Sequence, residues 1–157
     1  MIKEAILALN FAILPDVQFR YHSLEIAKDI REVTAERITI TSAYRDEYLQ
    51  ARIMLDMYNR GVDMAALYGA KYYQVVEFLR QGRLKPLASK IKELRFSNHL
   101  CGRALDIRSW DLSEEAFKAL LTLRDKYDII YETKPPHIHI ETVKKCGCSD
   151  NLDIILD

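Results

Sequence analysis

The stretch "RITITSAYR", residues 37–45, alternates without a break: Ile38, Ile40 and Ser42 fall on one side of an extended chain and Thr39, Thr41 and Ala43 on the other. That period of two predicts a half-buried strand. Ahead of it, apolar spacing predicts a helix over roughly residues 23–35, and "MIKEAILALNFAIL" reads as an internal amphipathic helix. Behind it, residues 46–95 carry apolar groups at helical spacing in "EYLQARIMLDMYNRG" and "KYYQVVEFLRQG", each closed by a glycine as helix ends often are.

"ALDIRSW" is the second predicted strand. A helix follows over about residues 112–127, with Phe117, Leu120 and Leu121 as its apolar stripe and Asp111 with Glu114 as a capping pair. "YDIIYE" and "HIHIE" are the third and fourth strands, separated by a turn containing Pro135 and Pro136 and close enough to pair antiparallel. This order predicts an α+β layer fold, a small antiparallel sheet with helices packed around it.

With 157 residues, 49% of them hydrophobic, and no internal repeat or low-complexity linker, the chain reads as one domain over 1–157. Its N-terminal part (about 1–36) and an insert (about 46–95) are mainly helical. Twenty-three basic side chains balance 23 acidic ones, so no excess positive field exists to hold nucleic acid or an anionic membrane. The basic run from Arg80 to Arg95 reads as a solvated face. Glu4 and Asn10 interrupt the apolar N-terminus, which is far short of the roughly 20 apolar residues that cross a bilayer. The expectation is synthesis in the cytoplasm without a signal peptide and no membrane insertion. Cys101, Cys146 and Cys148 are too few, and odd in number, for a secreted disulfide framework. "CGC" is expected in a loop, and Cys101 as a small packed side chain. Tyr58, Tyr68, Tyr72 and Tyr73 could line a groove, with packing the expected use.

The chemistry sits in two segments. In "PPHIHIETVKK", residues two apart point the same way, so His137, His139 and Glu141 share one face of a strand while Ile138 and Ile140 share the other. In "SNHLCGRALDIR", His99 precedes Asp106 by seven residues, with Gly102 between them to let the backbone turn closely. Ala104 and Asp106 face one side of the following strand, Leu105 and Ile107 the other. A loop histidine and a strand carboxylate can thus meet the paired histidines at one point. Two histidines and one aspartate match the ligand count of a catalytic zinc site with one position open; a structural site is closed by four ligands. His22 has no partner motif.

Ser97, His99, Gly102, Ala104 and Asp106, followed about thirty residues later by His137 and His139, resemble the zinc metallopeptidase superfamily. That superfamily includes D-alanyl-D-alanine carboxypeptidases, murein endopeptidases, phage endolysin peptidases and the hedgehog amino-terminal domain. The resemblance covers roughly residues 38–141. It implies that His99, Asp106 and His139 bind one Zn²⁺ per chain, that Arg45 holds the substrate or its developing oxyanion, and that Ser97 supports the ligands. The carboxypeptidase branch places a glutamate general base three residues before the last histidine, where this chain has Pro136. His137 is the first replacement for that base, Glu132 the second and Glu141 a third.

The resemblance implies a zinc-dependent metallopeptidase acting on D-alanine-containing peptides of bacterial peptidoglycan. Such an enzyme would reach the cell wall after release, as phage-type lysis enzymes do. The competing expectation is a catalytically inactive metal-binding module of the same fold that binds a peptide or protein partner.

Overall fold

Leu105 and Ile107 point away from Asp106 along their strand, and they fill the centre of the principal core together with Ile40, Ile138 and Ile140. The computed structural model describes residues 1–133 and 135–146. Its strands are β1 (Ala12–Ile13), β2 (Thr39–Ser42), β3 (Ala104–Arg108), β4 (Tyr127–Thr133) and β5 (Pro136–Thr142). They form one five-stranded sheet in the order β1-β2-β3-β5-β4. Helices α1 (Ile2–Ala8), α2 (Tyr21–Val33) and α7 (Glu114–Leu121) bring Ile2, Ile6, Ile26, Ile30 and Leu120 onto the apolar side. Each such buried aliphatic chain contributes about 1.5–3 kcal/mol relative to exposure. The expected α+β architecture, a small sheet with helices around it, is therefore present.

The insert has a core of its own. Helices α3 (Glu47–Asn59), α4 (Met64–Tyr68), α5 (Val76–Gln81) and α6 (Leu84–Leu94) bury Met54, Met64, Leu79, Leu87 and Ile91 with Phe96 and Leu100. Asp46 caps α3 by accepting from the Leu49 amide at 2.7 Å. Pro86 lies in the first turn of α6, where a missing amide costs little. Gly61 and Gly82 do follow α3 and α5, each with a positive φ.

Several expectations need correction. The N-terminal apolar segment is not one helix: Asn10 adopts φ 66°, which ends α1, and Ala12–Ile13 becomes a strand. That strand pairs parallel with β2, so the sheet is not wholly antiparallel. The cap of α7 is Ser113, which accepts from the Ala116 amide at 3.1 Å, while Asp111 lies 3.7 Å from Arg108. Cys101 is bonded to Cys146 as a disulfide, 45 residues apart in sequence. A count of three cysteines hid this pair, because only two of them take part; Cys148 lies outside the described residues. Among the described residues no helix is long and apolar enough to cross a membrane.

Candidate metal centre

The antiparallel register of β3, β5 and β4 assembles most of the site. Asp106 stands opposite His139, and His139 opposite Ile130. One step along the same face, Arg108 stands opposite His137 and His137 opposite Glu132. Glu141, one step the other way, is opposite Asp128. Because strand side chains alternate, burying Ile138 and Ile140 commits every one of these polar groups to the opposite face.

His99 arrives from outside the sheet, on a 3-10 turn over Asn98–Cys101 that leads into β3. Ser97 caps this turn, accepting from the His99 amide at 3.2 Å. Asn98 ties the turn to the end of β5 and to the segment after it: its Nδ2 donates to the Thr142 carbonyl at 3.4 Å and its Oδ1 accepts from the Cys146 amide at 3.0 Å. The Cys101–Cys146 disulfide adds a covalent tie at the same place. Gly102 ends the turn at φ 71°, and a Cβ there would overlap the side chain of Arg20, the residue just before α2. Only glycine fits that position without a shift.

His99, Asp106 and His139 are all buried, and one ligand atom from each lies within 4.8 Å of the others. The two imidazoles meet edge-on, with ring centres 5.1 Å apart. His99 Nδ1 hydrogen-bonds the Ala43 carbonyl, so Nδ1 carries the proton and Nε2 is left with a lone pair. That Nε2 lies 3.3 Å from Asp106 Oδ2 yet makes no hydrogen bond among the described residues. Burial pushes the His99 pKa down and keeps the ring neutral, the form that ligates a metal. Burial opposes ionisation of Asp106, but the bonds from His139 and Arg45 hold its carboxyl well below the usual range.

His139 Nδ1 lies 2.9 Å from Asp106 Oδ1, and its Nε2 is 2.8 Å from Glu141 Oε2. Burial works against the charged ring, but these two carboxylates raise its pKa to about 9. Glu141 is in turn held by Lys145, which also reaches Asp128 at 3.0 Å. A carboxylate on the far nitrogen of a ligand histidine fixes its tautomer and orientation, so Glu141 is engaged in holding His139.

Arg45 spends its three nitrogens on the framework. Nη2 donates to Asp106 Oδ2 at 2.7 Å, Nε to Ser42 Oγ at 2.8 Å and Nη1 to Gln50 Oε1 at 3.1 Å. A bulge makes this possible: β2 pairs Ile40 with Ile107 but Ser42 with Asp106, so one extra residue of β2 is absorbed and its end turns toward the carboxylate. The Arg45 amide also donates to the His99 carbonyl at 3.0 Å.

His137 Nε2 lies 3.1 Å from Glu132 Oε2 and 3.8 Å from Asp106 Oδ1, and its Nδ1 is 2.7 Å from the Pro135 carbonyl. Both ring nitrogens face acceptors, so the imidazolium satisfies both. Burial alone would lower its pKa, but Glu132, Asp106 and the carbonyl raise it. The hydrogen bond from His137 is the main reason the Glu132 pKa is lowered.

The site opens into a cleft of about 1000 Å³ between the polar sheet face and the insert. Tyr68, Phe96 and Arg95 belong to its insert side, Trp110, Ile130 and His137 to its sheet side. His22 lines a separate hollow beside Tyr127. The neutral, hydrogen-bond-free Nε2 of His99, the ionised Asp106 and the His139 ring form a donor set that could hold a metal ion. Compared with protein-family models, with curated proteins and with solved structures, the chain matches none.

Gln50 was not singled out by sequence, nor was Glu141 as the holder of His139; Tyr68 was named only as one of four tyrosines that could line a groove, with packing the expected use, and it does line the cleft. Glu141 shares the period of two with His137 and His139, which is a usable signal. Gln50 and Tyr68 lie on helices of the insert, and no local pattern announces that this insert docks beside the sheet.

Proposed function

We propose that the protein is a zinc-dependent metallopeptidase acting on peptides of bacterial peptidoglycan, with His99, Asp106 and His139 holding the metal. The observation that carries this reading is the buried, hydrogen-bond-free Nε2 of His99, aimed at an ionised carboxylate and a second histidine. Bound zinc would polarise the scissile carbonyl and make water acidic enough to attack near neutral pH.

The chain's own groups supply the proton traffic. Glu132, which stands opposite His137 and accepts from its Nε2 at 3.1 Å, is the base in this reading. It takes a proton from the attacking water as oxygen adds to the peptide carbonyl carbon. It then returns that proton to the amide nitrogen as the C–N bond breaks, leaving a carboxylate and an amine. The glutamate absent at position 136 is thereby replaced from the neighbouring strand. Arg45 holds Asp106 in place, and its remaining N–H groups are available to a substrate oxygen. The cleft, at about 1000 Å³, has room for several residues of a peptide.

The test is digestion of purified peptidoglycan by zinc-loaded protein, with released amino groups and muropeptides resolved by chromatography and mass spectrometry. Cleavage that is abolished by chelator and reduced at least about 10²-fold in Glu132→Gln supports the reading. Pro136 at the family's base position favours one other reading, a metal-binding module without turnover. That reading predicts zinc uptake with no bond cleaved.

A further inference from the structure

Tyr68 ends α4, and its ring packs on Phe96 with centres 5.3 Å apart in the insert wall of the cleft. Three hydrogen bonds connect its hydroxyl to the metal centre. Asp106 Oδ2 accepts from Arg45 Nη2 at 2.7 Å, Gln50 Oε1 accepts from Arg45 Nη1 at 3.1 Å, and Gln50 Nε2 donates to Tyr68 Oη at 3.2 Å. The direction of the last bond follows from the second. Since Arg45 has only donors, the carbonyl end of the Gln50 amide must face it, and the amide's N–H end must face the tyrosine. Gln50 is fully buried, so this orientation is fixed by its surroundings.

Tyr68 Oη is therefore an acceptor in this chain of bonds, and its own proton is unspent. No acceptor among the described residues takes it. Tyr68 lines the same cleft as Arg45, Asp106 and Glu132. Burial, the largest effect, pushes its pKa up to about 12, so the phenol keeps its proton wherever the site's carboxylates are ionised.

We propose that Tyr68 is a catalytic residue, donating its unspent hydroxyl proton in a hydrogen bond to the scissile carbonyl oxygen as negative charge builds there. This rests on the peptidase reading and adds a donor from the insert to it. Gln50 is the positioning residue: by occupying the acceptor side of the phenol it directs the O–H outward. A preorganised donor of this kind is worth about 10²–10³ in kcat, because it pairs with charge that develops only as the reaction proceeds.

The test compares wild type with Tyr68→Phe, which keeps the ring against Phe96 and removes only the hydroxyl. Both proteins are zinc-loaded, and both are assayed on a soluble pentapeptide muropeptide and titrated calorimetrically with a phosphinate analogue of D-alanyl-D-alanine. The expected result is kcat lowered about 10²-fold, KM changed less than about threefold, unaltered zinc content, and phosphinate binding weakened in parallel with kcat. Unchanged kcat and phosphinate affinity, or a change in KM alone, would overturn the assignment. Gln50→Glu provides a second variant should Tyr68→Phe fold poorly. A carboxylate there still accepts from Arg45 but also accepts the tyrosine proton, so kcat falls; wild-type kcat in that variant contradicts the proposal. Zinc-loaded wild type that neither cleaves muropeptides nor binds the phosphinate refutes the peptidase reading, and the role of Tyr68 with it.

Discussion

Asp106 of β3 and His139 of β5 face each other directly across an antiparallel ladder, with Oδ1 2.9 Å from Nδ1. Two positions of the proposed metal site are thereby set by the pairing of the strands. The third, His99, depends on a turn held by Ser97, by Asn98 and by a disulfide. The two halves of the site should therefore respond differently to perturbation.

Glu141→Gln is expected to weaken zinc binding about 10–100-fold without unfolding the protein, because His139 loses the carboxylate that orients it. Competition against a zinc-binding dye reads the affinity. Glu132→Gln, which leaves all three ligands intact, is expected to keep wild-type affinity. An equal loss in both variants would mean that Glu141 has no special hold on the site.

The disulfide closes a span of 45 residues that contains β3, α7, β4 and β5. Cys101→Ser should cost about 2–4 kcal/mol in chemical denaturation, chiefly by freeing the unfolded chain. Because Cys101 lies two residues from His99, zinc retention during dialysis against a weak chelator should fall as well. Reduction of wild type by a thiol reagent should reproduce both effects.

Gly102→Ala should destabilise by more than the roughly 1 kcal/mol typical of single substitutions, since a positive φ and an overlap with Arg20 act together. Thermal unfolding measures this. Gly61→Ala, at a positive φ but with nothing near the added carbon, is the milder control.

Asp29, at the C-terminal half of α2, accepts from the Tyr127 hydroxyl and pairs with Lys126 at 2.6 Å. Burial opposes its ionisation, but the bonds from Lys126 and Tyr127 win, and its pKa is lowered. A depressed folded-state pKa adds stability that is present above the unfolded value, about 3.9, and is lost as pH falls through the folded one. The stability difference between wild type and Asp29→Asn should thus be about 1 kcal/mol at pH 6 and smaller at pH 3, below the unfolded value. Urea unfolding at the two pH values checks it.

Much of the sheet was legible because its strands obey a simple alternation. Ile138 and Ile140 must be buried, so His137, His139 and Glu141 must share the other face, and Asp106 follows from Leu105 and Ile107 by the same reasoning. The pairing of Glu132 with His137 was only half legible, since it depends on the register set where Thr133 meets Pro136. The parallel strand at Ala12–Ile13 was missed because the apolar residues on both sides of Asn10 read as one helix, and nothing local shows that Asn10 takes a left-handed turn. The disulfide and the Gln50–Tyr68 bond link segments distant in sequence, and local periodicity carries no information about such contacts.

The central claim is that His99, Asp106 and His139 form one zinc centre. Elemental mass spectrometry of the purified protein, after zinc is supplied and excess removed, measures this directly when compared with Asp106→Ala prepared identically. The account predicts about one zinc per chain in wild type and a large loss in the variant. Wild type without metal, or a variant that retains it in full, would contradict the account.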